Sequence, residues 1–297
     1  MPRPRKQLVC AKTTPYYHVT ARCVRRAFLC GHDVTTGQSY EHRREWIENR
    51  LGKLASLFSI EVCAYAIMSN HYHLVVRIRP EVTEDWGNHK VLKRWCALFK
   101  GPLLVQEYLK GKTLSGPEIR SVRSCAAVYR KRLGDLSWFM KCLNEPIARQ
   151  ANAEDECTGH FWESRFHSQA LLSQRALVAA MAYVDLNPIR AGMATTPETS
   201  EFTSIRARLE AVTGTCQHKR DVPLASCSAT VSLNNKTYIQ LVEASGRLAA
   251  RGKPGRIDTK LPPILIRLGL SMAQWTAASL DFQAVYSRGE LAFKKSA

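Results

Sequence analysis

The chain has 297 residues, of which 45% are apolar and six are tryptophan, enough to bury a sizeable core and to exclude a disordered polypeptide. A mean hydropathy of -0.24 and the lack of a long apolar run exclude a membrane span, and the basic start MPRPRKQLVC leads into no apolar secretory segment, so a cytoplasmic protein is expected. Forty-three Lys and Arg against 25 Asp and Glu leave +18, a charge that draws polyanions and makes nucleic acid the expected partner.

Residues 17–21 (YHVTA) favour extended backbone and give the first strand, followed by a loop carrying Arg22, Arg25 and Arg26. Over residues 41–58, Ile47, Leu51, Leu54 and Phe58 recur at helical spacing and form one apolar stripe, the other face being charged. Two β-type runs come next, 60–68 (IEVCAYAIM) and 71–78 (HYHLVVRI), separated by Ser69 and Asn70, which predicts a hairpin. Residues 83–153 read mostly as helices, broken at Gly101-Pro102, Gly116-Pro117 and near Gly134, and form a basic insertion over about 81–153.

Residues 160–172 (HFWESRFHSQALL) can supply another strand. Ser173 can then cap a helix running through QRALVAAMAYVDLN, which Pro188 is expected to end by disfavouring helical backbone at Asn187. Residues 198–297 form a mostly helical extension of unassigned role, with DNA binding one option. It holds a basic stretch expected to be flexible, RGKPGR (251–256), and predicted helices at 263–270 and 272–282. The ten cysteines are scattered without a CxxC pair, so they read as free thiols rather than zinc ligands or a redox dithiol.

Three residues stand out chemically. Side chains alternate along a strand, so His71 and His73 share a face while Tyr72 and Leu74 point the other way. Two imidazoles on one face can chelate a metal, although an isolated HxH is a weak signal. A hard cation such as Mg²⁺ or Mn²⁺ also needs oxygen ligands. Tyr183 and Asn187 are i and i+4 on one helix face and could present a nucleophile and such an oxygen together. By spacing alone, a core tyrosine and a helix-terminal asparagine before proline is the simpler account.

Three segments, AIMSNHYHLVVRI, FMKCLNEPIARQANAEDECTGHFWESRF (139–166) and MAYVDLNPIRAGM (181–193), resemble in content and order the transposase-like proteins that include the REP-associated tyrosine transposases. The resemblance spans residues 14–195. It implies an α+β, ferredoxin-like antiparallel sheet with packed helices, with His71 and His73 as the metal ligands of an HUH motif and Tyr72 between them. It further implies Tyr183 as nucleophile, Asn187 as third ligand and Mg²⁺ or Mn²⁺ as cofactor. The helical insertion is larger than in the smallest relatives, and residues 198–297 lie outside the minimal domain of 1–197.

On this resemblance the expected activity is transposition: cutting and rejoining of single-stranded or hairpin DNA through a 5′-phosphotyrosine link. Arg22, Arg25, Arg26, Arg165 and Arg190 are candidate phosphate contacts, and Trp162 could stack on an unpaired base, although each arginine taken singly is more often a solvated surface charge. A homodimer is left open. The alternatives are a transposase-derived DNA-binding protein or repressor without catalysis, and a hydrolase with an HxH metal site, which would leave Tyr183 without a role.

Overall fold

The computed structural model describes residues 9, 13–24, 29–33, 36–214, 222–231, 233–248, 250 and 252–268. Four strands form one antiparallel sheet in the order β2-β3-β1-β4: β1 (Tyr16–Arg22), β2 (Ile60–Ile67), β3 (His71–Ile78) and β4 (His167–Ala170). The β2–β3 pair is the hairpin expected across Ser69 and Asn70. The strand anticipated within 160–172 is shorter, only four residues at the sheet edge. Helix α1 (Arg43–Leu57) joins β1 to β2 and buries Ile47, Leu51 and Leu54, the stripe read from the sequence. Its Arg43 is wholly buried, held by Glu154 at 2.6 Å and by Asp155.

Between β3 and β4 the insertion is helical: α2 (Asn88–Cys96), α3 (Leu103–Leu109), α4 (Gly116–Leu133) and α5 (Leu136–Glu154). Its breaks follow capping chemistry. Ser115 and Glu118 form a capping box at the start of α4, and Asp135 accepts from the Trp138 N–H at 2.9 Å to start α5. Together with α1, these helices cover one sheet face. Tyr17, Val19 and Ala21 of β1 and Tyr72, Leu74, Val76 and Ile78 of β3 enter that core, beside Phe139 and Leu143 of α5.

The opposite face meets α6 (Gln174–Asp185), whose Ser173 cap accepts from the Ala176 N–H at 3.1 Å. Pro188 does not remove Asn187 from helical backbone, as the sequence suggested. The main helix stops at Asp185 and Asn187 opens a one-turn helix, α7 (Asn187–Arg190), in whose first turn the missing proline N–H costs nothing. Beyond it, α8 (Ser204–Thr213), α9 (Cys227–Val231) and α10 (Asn235–Arg247) share a second core with α6 and the sheet, and α11 (Ile264–Arg267) packs on α10. A bulge between Val62 and Ala64 turns both Cys63 and Ala64 towards this core before alternation resumes at Tyr65.

One buried carboxylate joins the parts of the second core. Asp185, at the end of α6, accepts from the Ser204 hydroxyl, from the Ile205 N–H at 2.8 Å and from the Tyr238 hydroxyl of α10 at 2.5 Å. Nearby Arg208 of α8 donates to the Cys63 carbonyl at 2.6 Å. The predicted helix at 272–282 lies outside the described residues, and among those described Cys23, Cys30, Cys63, Cys142 and Cys227 are buried free thiols. No described helix is long and apolar enough to cross a membrane.

Candidate functional site

Strand alternation puts His71 and His73 of β3, and His18, Thr20 and Arg22 of β1, on the face that α6 crosses. At one end this face is apolar and closed by α6 and α8; at the other it is lined by imidazoles. The Nε2 atoms of His71 and His73 lie 3.0 Å apart. Tyr183, on α6, sets its ring edge against His73 and His18 at centroid separations of 5.6 and 6.0 Å. Its side of the helix is open: the residue is 48% exposed although it sits between buried Ala182 and Val184.

The outer contacts of the two imidazoles bear on which nitrogen carries the proton. His71 Nδ1 faces the Asn70 side-chain oxygen at 2.5 Å and must donate to it. His73 Nδ1 faces His18 Nε2 at 3.0 Å, with the two rings stacked. If His73 donates there, both neutral rings direct an Nε2 lone pair at the same point. Metal-bound histidines are oriented in this way, by outer hydrogen bonds that fix the tautomer. Nitrogens 3.0 Å apart also match neighbouring positions in an octahedral shell with a radius of about 2.1 Å.

Burial keeps these rings neutral. It lowers the pKa of His71 to about 4, helped by Arg22 and Lys253, and that of His73 to about 2, helped by His71, His18, Arg22 and Lys253. Burial also lowers the pKa of His18, with His167 on the neighbouring edge strand adding to the effect. Neutral imidazole is the ligating form.

Asn187 lies one turn after Tyr183 and is buried; its Nδ2 has no hydrogen-bond partner, and no hydrogen bond joins it to either imidazole. The unmatched atom is a hydrogen-bond donor, so only the amide oxygen could serve a cation. The donor set is therefore two imidazoles with one amide alongside. Among the described residues no group of three His, Cys, Asp or Glu side chains is placed to hold an ion. The donors present fit a hard divalent cation that keeps several waters or phosphate oxygens, and they do not make a closed structural zinc site.

The structure thus brings His71, His73 and Tyr183 together, with Asn187 on the adjoining turn. The other candidates are dispersed. Arg22 is exposed at the end of β1, paired across the sheet with His71. Arg25 and Arg26 lie outside the described residues. Trp162 donates from its indole to the Asn144 carbonyl at 2.9 Å and meets Tyr72 edge-on, so much of its surface is used in packing, and Arg165 is exposed. Arg190 donates to the carbonyls of Ser245 at 2.7 Å and Leu248 at 2.5 Å, contacts that fasten the C-terminal segment.

Sequence reasoning missed His18 and Lys253. The first had a visible signal, a histidine at a strand position sharing the face later occupied by His73. The second had none, since its segment reaches the turn after Tyr183 only through tertiary contacts with Ile189 and Arg190. Comparison with known protein families and with curated proteins finds no match. Among solved structures the chain is similar to a REP-associated tyrosine transposase bound to a REP hairpin, with a TM-score of 0.38 and 11% identity over 76% of this chain and 93% of that one.

Proposed function

We propose that the protein is a DNA strand transferase of the single-tyrosine HUH type, built on a ferredoxin-like sheet, with single-stranded or hairpin DNA as substrate. The observation that supports this best is the convergence of the His71 and His73 Nε2 atoms beside an exposed tyrosine on a facing helix. A hydrolase using the two histidines alone would need no tyrosine there. A net charge of +18 accords with a polyanionic substrate.

In this reading His71 and His73, with Asn187 as the third donor, would hold Mg²⁺ or Mn²⁺. When bound, such an ion polarises a non-bridging phosphate oxygen and offsets charge built up as the diester is attacked. The Tyr183 oxygen forms a bond to phosphorus while the bond to the 3′ oxygen breaks. The phenol proton, held with a pKa near 10 in an ordinary tyrosine, leaves to solvent, and the departing 3′ oxygen takes up a proton to become a hydroxyl. The product is a 5′-phosphotyrosine that retains the diester's bond energy. A second 3′-hydroxyl can attack it, releasing Tyr183 and rejoining DNA without a nucleotide cofactor.

The test is incubation with end-labelled single-stranded and hairpin oligonucleotides in Mn²⁺ or Mg²⁺, followed by denaturing gels. A covalent protein–DNA adduct is expected that vanishes in Tyr183→Phe and without metal. Cleavage that persists in Tyr183→Phe would reject the tyrosine mechanism. Salt-sensitive binding with no adduct on any substrate would identify a DNA-binding protein without catalysis.

A further inference from the structure

The basic stretch after α10 is fastened directly to the turn that follows Tyr183. Arg190, the last residue of α7, donates to the carbonyls of Ser245 and Leu248, and the Gly255 carbonyl lies 3.5 Å from the same guanidinium. Gly255 then presses its backbone on α7 so closely that a Cβ there would lie 1.8 Å from the Ile189 carbonyl oxygen and 3.3 Å from the Gly192 nitrogen. Two residues on, the Ile257 N–H donates to the Gly246 carbonyl at 3.0 Å, and its side chain is fully buried. A Cβ at Gly246 would meet that side chain at 2.5 Å. At Gly255 only glycine fits against the Ile189 backbone, and at Gly246 a larger residue would have to displace the Ile257 side chain, so the strap is seated by shape as well as by hydrogen bonds.

Between these anchors the chain turns. Gly252 takes a φ of +70°, the Lys253 N–H donates to the Ala250 carbonyl at 3.1 Å, and Pro254 restricts the next backbone angle. The turn leaves the Lys253 side chain exposed and without a carboxylate partner among the described residues. The strap that carries it packs on Ile189 and Gly192, and the next residue, Met193, sets its sulfur 3.6 Å from the Ser69 hydroxyl in the β2–β3 turn that leads into His71. A cation carried on this side of the site, with no carboxylate partner among the described residues, suits an anionic ligand engaged there.

We propose that Lys253, presented by the strap of residues 252–257, binds a backbone phosphate of the DNA strand engaged at the Tyr183 site, so that the C-terminal segment supplies part of the substrate grip. The proposal rests on the strand-transferase reading and adds to it a residue from outside the domain that the sequence motifs delimit. An ammonium group offers three donors and a concentrated charge, a match for a phosphate that needs no base specificity.

Binding to a single-stranded oligothymidylate, measured over a range of salt in the Tyr183→Phe background, tests Lys253 without requiring turnover. Lys253→Ala is expected to weaken binding by about 3- to 10-fold and to lower the log–log salt slope by roughly one phosphate contact. Lys253→Arg should recover most of the loss. Gly255→Ala keeps the lysine but displaces the strap, and should reproduce the loss with a melting transition that stays cooperative. Unchanged affinity and slope in Lys253→Ala would overturn the proposal, as would tighter binding, which would make the strap a cover over the site. Because these readouts need no adduct, they separate failure at Lys253 from failure of the tyrosine chemistry, which would show as a wild-type protein that never forms one.

Discussion

The two faces of the sheet are made by the same residues in alternation, yet they carry different burdens. Along β3, Tyr72, Leu74, Val76 and Ile78 go into a core sealed by α1 and the helical insertion, while His71 and His73 point the other way, under α6. The sealed face is apolar but for tyrosine hydroxyls, those of Tyr65 and Tyr72 donating to Glu48 and Asn144. The other is apolar only where Cys63, Ala64, Ala66 and Val75 meet α6 and α8, and gives way to imidazoles, Arg22 and the half-exposed Tyr183. The first face is sealed along its length and the candidate site lies at the open end of the second, so a site can be assembled there without interrupting the core beneath it.

Adjacent residues of β3 give the sharpest way to break that division. Leu74→Ala should cost about 2–5 kcal/mol, the usual range for a buried leucine whose cavity only partly collapses. It should leave adduct formation per folded molecule close to wild type. His73→Ala should do the reverse: a stability change of about 1 kcal/mol or less, since it removes a lone pair that faces another, and a loss of adduct of at least about 100-fold. Chemical denaturation and adduct yield, measured on both variants, decide the matter. If His73→Ala unfolds the protein as readily as Leu74→Ala, the two faces are not divided in this way.

A second perturbation sharpens the role of the open end. His18→Ala removes the partner that orients His73 through Nδ1. Loss of an outer hydrogen bond of this kind typically lowers metal affinity by 10- to 100-fold. Titration with Mn²⁺ followed by electron paramagnetic resonance should show a drop of about that size, with His18→Gln recovering part of it through its amide oxygen. Equal affinity in wild type and His18→Ala would reduce His18 to a packing residue.

Much of this arrangement was legible in local sequence pattern. The hairpin, the helical stripe of α1 and the shared face of His71 and His73 follow from periodicity, whereas Tyr183 and Asn187, read as one helix, fall in two, the first half-exposed and the second buried. What periodicity could not supply was register. His18 reaches His73 because β1 pairs with β3 so that Thr20 lies opposite His73, a match set by tertiary packing across more than fifty residues. The bulge at Cys63 and the seat of Gly255 on Ile189 likewise depend on partners remote in sequence. Asp185 did leave a local trace. Leu177, Met181, Val184 and Asp185 form one buried stripe of α6, and a carboxylate in such a stripe demands buried partners.

Those partners make Asp185 the least expensive place to probe the closed part of the second face. Burial raises its pKa, opposed by the hydrogen bonds from Ser204 and Tyr238, the charge of Arg208 and the Ile205 N–H. The folded protein therefore keeps this proton to higher pH than the unfolded chain does. The group's contribution to stability is full below the ordinary aspartate range and declines as pH rises towards the folded-state value. Asp185→Asn is neutral at every pH. Its oxygen can keep the bonds from Ser204 and Ile205, and its amide can donate to the Tyr238 oxygen, so the fold should be retained. The stability of the variant relative to wild type should thus improve as pH rises above the ordinary aspartate range. Thermal melts of both proteins as a function of pH measure the difference. A flat or declining difference would mean that Arg208 holds Asp185 ionised, so that a buried ion pair, rather than a protonated carboxyl, fastens α8 and α10 to the tyrosine helix.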